Sequence, residues 1–205
     1  MAQGSEQKRG GWGGGGLRNL PNLLTMLRII SIPAVLLYID NESALRSFVA
    51  CLLFVLAALT DFFDGYLARR QRQVSLLGQF LDPLADKILV MATLVWMVPL
   101  GRIDGWIVIL LLARELAVTT LRGIASAQGL VIAARPLGKE KTALQLVGIA
   151  CLILHFRYRL LFTDLYVDFQ RVGLYTIYLS LVLSVFSAVD YLLHFGRALD
   201  RQQAP

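Results

Sequence analysis

Apolar residues fall in six long blocks along this chain, separated by short polar stretches. The blocks cover about 25–39, 47–70, 81–99, 106–128, 137–155 and 172–194. Their length predicts helices that cross a bilayer, whose hydrocarbon layer of roughly 30 Å takes about 20 residues of helix. The first block is the shortest and is preceded by L-R-N-L-P-N-L-L at 17–24, an amphipathic piece expected to lie in the membrane interface with Pro21 in its first turn. The pattern therefore predicts an all-α integral membrane protein of six transmembrane helices plus a short N-terminal interfacial amphipathic helix. The Gly-rich tail at 1–17 has too little apolar content to fold alone. The membrane domain spans 18–195, and 196–205 is read as a cytosolic C-terminal tail.

Composition agrees with the pattern. Of 205 residues, 57% are hydrophobic and only 17% charged, and the mean hydropathy is +0.63; a soluble domain carries nearer 25% charge. The formal net charge of +6 suits anionic lipid and anionic small molecules, and no nucleic-acid partner is expected. Six spans put both termini on one side. Taking that side as cytosolic leaves 15 of the 20 Lys and Arg inside, with Arg46, Arg102, Arg157, Arg159 and Arg171 outside. Cys51 and Cys151 both lie within apolar blocks and read as buried free thiols. His155 and His194 fall at span ends without partners at ligand spacing.

Candidate chemistry concentrates between the second and third blocks, in D-F-F-D-G-Y-L-A-R-R-Q-R-Q-V-S-L-L-G-Q-F-L-D-P-L-A-D at 61–86. Carboxylates this close to membrane-length apolar sequence are costly and point to function. Asp61, Asp64, Gly65 and Ala68 share a helical face at i, i+3, i+4 and i+7, and Asp82 and Asp86 are i and i+4 on the next helix. The basic segment 69–72 and Gly78 are predicted to form the turn between them, bringing two carboxylate pairs across one gap. Like charges that close require cations between them, and oxygen ligands suit Mg²⁺, Mn²⁺ or Ca²⁺. Gly65, Ala68 and Gly78 leave room for a ligand to approach the helix backbone.

A second cluster is basic. Arg114, Val118 and Arg122 share a face of the fourth block, and Lys139 and Lys141, with Thr142 and Gln145, open the fifth on the same side. These cations are either headgroup anchors or a phosphate-binding face, and an Arg114–Glu115 or Arg114–Asp104 pair belongs to the first alternative. Lys87, next to Asp86, neutralises it or touches a phosphate. Asn22, Thr25 and Arg28 recur at i, i+3 and i+6, close to one face, where they read as interface anchors.

The pattern D-x-x-D-G-x-x-A-R, eight residues, G-x-x-x-D-x-x-x-D resembles the signature of the CDP-alcohol phosphotransferase family. Asp61, Asp64, Gly65, Ala68, Arg69, Gly78, Asp82 and Asp86 meet it at every fixed position, and the likeness extends over about 20–193. R-E-L at 114–116 and L-G-K-E-K-T-A-L-Q at 137–145 resemble the bacterial phosphatidylglycerophosphate synthase branch. The resemblance implies transfer of a phosphatidyl group from CDP-diacylglycerol to glycerol 3-phosphate, releasing CMP, in phospholipid biosynthesis. It implies two Mg²⁺ (or Mn²⁺) ions per site held by Asp61, Asp64, Asp82 and Asp86, with Asp86 as the base. Asn22, Thr25, Asp64, Gly65, Ala68, Arg69 and Gly78 would then bind CDP-diacylglycerol, and Arg114, Arg122, Lys139 and Lys141 the acceptor phosphate. A homodimer in the bacterial inner (plasma) membrane, multi-pass with termini and active site cytosolic, is implied as well. A cardiolipin synthase or another acceptor within the same family is the alternative. A cation transporter would need acidic groups deeper in several spans, and a catalytically inactive lipid-binding protein would not need all four aspartates.

Overall fold

The computed structural model describes the backbone of residues 20–40, 42–71, 76–128, 137–159 and 166–203, and the side chains of the same residues except 20–25, 61–71, 76–86, 137–140 and 198–203. Among the described residues there are six α-helices and one two-stranded ribbon. The helices are α1 Leu20–Tyr38, α2 Ala44–Gln71, α3 Leu76–Met97, α4 Gly105–Ala127, α5 Leu137–Leu154 and α6 Phe169–Gln203. The strands are β1 Arg157–Arg159 and β2 Tyr166–Asp168.

Each apolar block falls on a helix, and the boundaries add four corrections. α1 runs without a break from Leu20 to Tyr38, so residues 20–24 continue the first helix and do not form a separate interfacial one; residues 17–19 lie outside the described residues, as does the tail at 1–17. α2 reaches Gln71 and α3 starts at Leu76, which puts Arg69 and Gly78 inside helices and narrows the connection to 72–75, outside the described residues. The expected loop at 156–171 contains the antiparallel ribbon, with Arg157 opposite Asp168 and Arg159 opposite Tyr166. The fold is thus almost, not wholly, α. Its strands, R-Y-R and Y-V-D, are too short to signal themselves against the flanking helices. Finally, α6 continues to Gln203, through most of the stretch read as a tail.

Each helix buries one stripe. On α1 it is Arg28, Ile32 and Val35, continued by Ile39 just past its end; on α2, Ser47, Ala50, Cys51, Phe54 and Ala57. α5 packs on α6, α1 on α2 and α3, α2 on α5, and α4 on α6. The α5–α6 contact is close enough to exclude a Cβ: one built on Gly148 would lie 2.8 Å from Ile177 Cγ1, and one on Gly173 2.9 Å from the Leu152 backbone N. Buried small and hydroxyl residues such as Ser47, Thr93, Ser180 and Ser184 face other helices, while Leu37, Leu45, Tyr175 and Phe186 stand out from the bundle. The core also holds large apolar side chains such as Phe54, Leu94, Met97 and Ile107; apolar residues on the outer surface as well as inside suit helices solvated by lipid. Among the described residues, Phe169–Arg197 is a single helix long and apolar enough to cross a bilayer, and shorter apolar helices occur at Met26–Tyr38, Ala44–Thr60, Lys87–Met97 and Lys141–Leu154.

The alternation of helices sends the α1–α2, α3–α4 and α5–α6 connections to one end. There Arg102, fully buried, ties three of them together. Its Nη1 donates to the Leu152 and Ile153 carbonyls at 3.1 and 2.7 Å, and its Nη2 to the Asp40 carbonyl and to Ser47 Oγ. Gln170 Nε2 donates to the Arg102 carbonyl at 2.7 Å while Gln170 Oε1 meets His155 Nδ1 at 2.9 Å. His155, directly after α5, adopts a left-handed conformation, φ 56°. Gly101, φ +68°, makes the corresponding turn after α3 at no steric cost. Burial pushes the Arg102 guanidinium down to about 10, still protonated at neutral pH.

Candidate functional site

The opposite end carries the motif. Positions 61, 64, 65, 68 and 69 lie on the last turns of α2, and 78, 82 and 86 on the first turns of α3. The helical phase expected for the two aspartate pairs is therefore present in the backbone; the eight side chains lie outside the described residues, as do those of Asn22, Thr25 and Lys139. Register still relates these positions to what is described. Ala58 lines a cavity, and positions 61 and 65 follow it at i+3 and i+7. Val90 lines the same cavity, and position 86 precedes it by four residues.

The cavity has a volume of about 290 Å³ and is walled by α1 through α5. Its apolar part includes Leu89, Met91, Leu111, Leu112 and Leu146; Arg28, Lys87, Glu115, Thr142 and Gln145 supply the polar part. Arg28 is buried on α1. Its guanidinium stem packs inside the bundle, where a mere headgroup anchor would not be.

At the polar edge, cations from three helices surround one carboxylate. Glu115 Oε2 accepts a hydrogen bond from Arg114 Nη1 at 3.0 Å and lies 3.6 Å from Lys141 Nζ. Glu115 Oε1 lies 3.8 Å from Lys87 Nζ. Lys87 donates to Thr119 Oγ1, and the Thr119 hydroxyl donates to the Glu115 carbonyl at 2.7 Å. Arg114 is held on its other side by α6, where its Nε donates to the Ser184 carbonyl at 2.9 Å. Ser180, one turn earlier, donates from Oγ to the Lys141 carbonyl at 3.0 Å. Three cations against one carboxylate leave a formal charge of +2, partly buried, which is a setting for an anion of two charges.

Of the basic residues singled out from sequence, Arg114 and Lys141 are thus brought together, and the Arg114–Glu115 pair exists as part of a larger cluster. Arg122 is exposed, with its guanidinium carbon 6.0 Å from the centre of the Tyr191 ring. Eight residues of helix separate it from Arg114 by about 12 Å. Glu115 was missed as an organiser, because a carboxylate following an arginine in sequence shows a local pair and gives no sign of lysines on two other helices.

Among the described residues no group of His, Cys, Asp and Glu is assembled to hold a metal ion. The donor set that fits one is the motif's own: four carboxylates in two helical pairs, all-oxygen ligands of the kind hard divalent cations take.

Fold and site define a helical membrane protein in which a cation-lined, partly apolar cavity adjoins two helix ends bearing paired aspartates. The chain belongs to the CDP-alcohol phosphatidyltransferase family, whose model matches residues 18–186. Similar curated proteins are named CDP-diacylglycerol–glycerol-3-phosphate 3-phosphatidyltransferase. That of Bacillus subtilis (strain 168) is 39% identical over 149 residues, covering 67% of this chain and 77% of its own length. Those of Rickettsia bellii and Rickettsia typhi are 40% identical over 136 residues and 41% over 140, covering 66% and 67% of this chain and 75% and 78% of their own lengths.

Proposed function

We propose that this chain transfers the phosphatidyl group of CDP-diacylglycerol to glycerol 3-phosphate, yielding phosphatidylglycerophosphate and CMP. The observation that carries the reading is the cation cluster of Lys87, Arg114 and Lys141 at a cavity walled by the same helices that bear the aspartate motif. A phosphate-bearing acceptor and a diphosphate donor need those two features side by side. The names of the similar proteins, each acting on CDP-diacylglycerol and glycerol 3-phosphate, support the same assignment.

In this reading the acceptor phosphate sits on Arg114 and Lys141, with Lys139 beside them and Arg122 at the entrance. The acceptor hydroxyl oxygen forms a bond to the phosphorus that carries diacylglycerol. The bond from that phosphorus to the CMP oxygen breaks, and CMP leaves. Asp86 takes the hydroxyl proton, a role open to a carboxylate that stays ionised. Asp61, Asp64, Asp82 and Asp86 would hold two divalent cations, Mg²⁺ or Mn²⁺, which supply charge stabilisation for the diphosphate when bound. Asn22, Thr25, Asp64 and Arg69 serve the nucleotide and its phosphates, and Gly65, Ala68 and Gly78 admit them close to the helix backbone. The diacyl tail remains in lipid beside the exposed apolar faces.

The same reading gives six membrane-crossing helices with both termini and the motif end cytosolic, in the inner membrane of a bacterium, and a homodimer. It keeps the membrane domain at 18–195 with flanking segments 1–17 and 196–205. The test is product identification: purified protein with CDP-diacylglycerol and labelled glycerol 3-phosphate is expected to give phosphatidylglycerophosphate and stoichiometric CMP. Labelled phosphatidylglycerol accepted in preference to glycerol 3-phosphate would replace this assignment with that of a cardiolipin synthase.

A further inference from the structure

Glu115 has no place in the chemistry just described, yet side chains from three helices converge on it. We infer that Glu115 is a positioning residue that gathers Lys87, Arg114 and Lys141 around the acceptor phosphate and sets that phosphate's place relative to the second aspartate pair. The inference rests on the reading of the site as one for a phosphate-bearing acceptor.

The distances carry it. Among the described residues the Glu115 carboxylate accepts one hydrogen bond, from Arg114 Nη1 at 3.0 Å, and stands 3.6 and 3.8 Å from the Lys141 and Lys87 ammonium groups. At those separations the lysines are attracted without being hydrogen-bonded to it, so ammonium donors remain for another anion. The Arg114 fork is fixed by Ser184 on one side and Glu115 on the other; without the carboxylate its free end has no set direction. Lys87 stands next to Asp86 in sequence and is bonded to Thr119, one turn along α4 from Glu115. The α3 position adjoining the proposed base is thereby clipped to the α4 turn that holds the phosphate cations. A neutral residue at 115 would leave three like charges to repel one another in a partly buried site, with Lys141 only 11% exposed and Glu115 35%. Glu115 itself reaches solvent at the cavity edge, where an arriving phosphate can share the cations with it.

The test is Glu115→Gln, which preserves shape and removes charge, with Glu115→Asp as the conservative partner. Acceptor KM should rise at least tenfold in Glu115→Gln while donor KM stays within twofold, and Glu115→Asp should recover part of the loss. Independently of turnover, inorganic phosphate titrated onto the detergent-solubilised protein should bind the wild type and bind Glu115→Gln more weakly by a similar factor. Unchanged acceptor KM and phosphate affinity would overturn the inference. So would both KM values rising together with a lower melting temperature and no recovery in Glu115→Asp, the behaviour of a simple brace. If the wild-type protein uses no glycerol 3-phosphate, the functional reading fails, and the phosphate titration still decides the role of Glu115: no difference between wild type and variant, including no binding by either, overturns it. Should Glu115→Gln not fold, Lys87→Gln is expected to give the same KM split, and an unchanged acceptor KM there would overturn the clip between α3 and α4.

Discussion

Two buried arginines anchor the two ends of this bundle, and they do so differently. Arg102 is fully enclosed, and it donates to the carbonyls of Asp40, Leu152 and Ile153 and to the hydroxyl of Ser47, parts of the fold. Arg114 is nearly as buried, but one side of its fork faces a carboxylate that is itself partly exposed, shared with two lysines, and set at the edge of a cavity. The first arrangement closes chain connections. The second holds charge at a place where a ligand can reach it. Burial of a charge in a membrane bundle is thus no guide to function by itself; the difference lies in whether the neutral groups of the fold or other charged side chains face it.

The largest effect should come from the motif end. Asp86→Asn is expected to lower turnover by about a thousandfold or more if the base is lost, within the range of general-base contributions together with altered cation binding. Donor binding should remain, and excess chelator should abolish wild-type activity; CMP release reports both, and full turnover in chelator would remove the metal role. At the other end, Arg102→Met should leave both KM values alone and cost about 3–5 kcal/mol of stability, since it strands several buried carbonyls. A thermal melt in detergent checks it. Retained stability would mean that Arg102 is no tie.

Smaller effects belong to packing between the ends. Gly173→Ala puts a Cβ against Leu152, including its backbone N at 2.9 Å, which cannot move as a side-chain tip can. About 1–3 kcal/mol of destabilisation is expected, with activity per folded molecule unchanged. The smallest change should be Tyr191→Phe. The Tyr191 hydroxyl is buried with no hydrogen-bond partner among the described residues, so its loss should be neutral or stabilising by up to about 1 kcal/mol. The ring under Arg122 is retained. A clear loss of stability would reveal a partner for that hydroxyl.

How far these features were legible in the sequence follows from the range of the interactions that make them. Helix ends near 38, 97, 127 and 154 followed from where apolar blocks stop, a local signal. The helical phase of Asp61, Asp64, Asp82 and Asp86 was local too and is present in α2 and α3. The turn was misplaced at Gly78 because glycine and four nearby basic and polar residues mimic a loop, whereas α3 begins at Leu76. Arg102 looked like one of five cations beyond the membrane; its burial depends on carbonyls 50 residues away, which no local pattern encodes. Glu115 was hidden for the same reason, since Lys87 and Lys141 reach it from other helices.

The most direct measurement of the central claim, that the motif end is a phosphate-acceptor site and the Arg102 end is scaffold, is the pair of Michaelis constants of Lys141→Gln. A lost charge-assisted phosphate contact costs on the order of 1.5–3 kcal/mol, or roughly ten- to a hundredfold. The account predicts a rise of that size in the KM for glycerol 3-phosphate, with the KM for CDP-diacylglycerol and the melting temperature unchanged. An unchanged glycerol 3-phosphate KM, or a fall in melting temperature with both constants moving together, would contradict it.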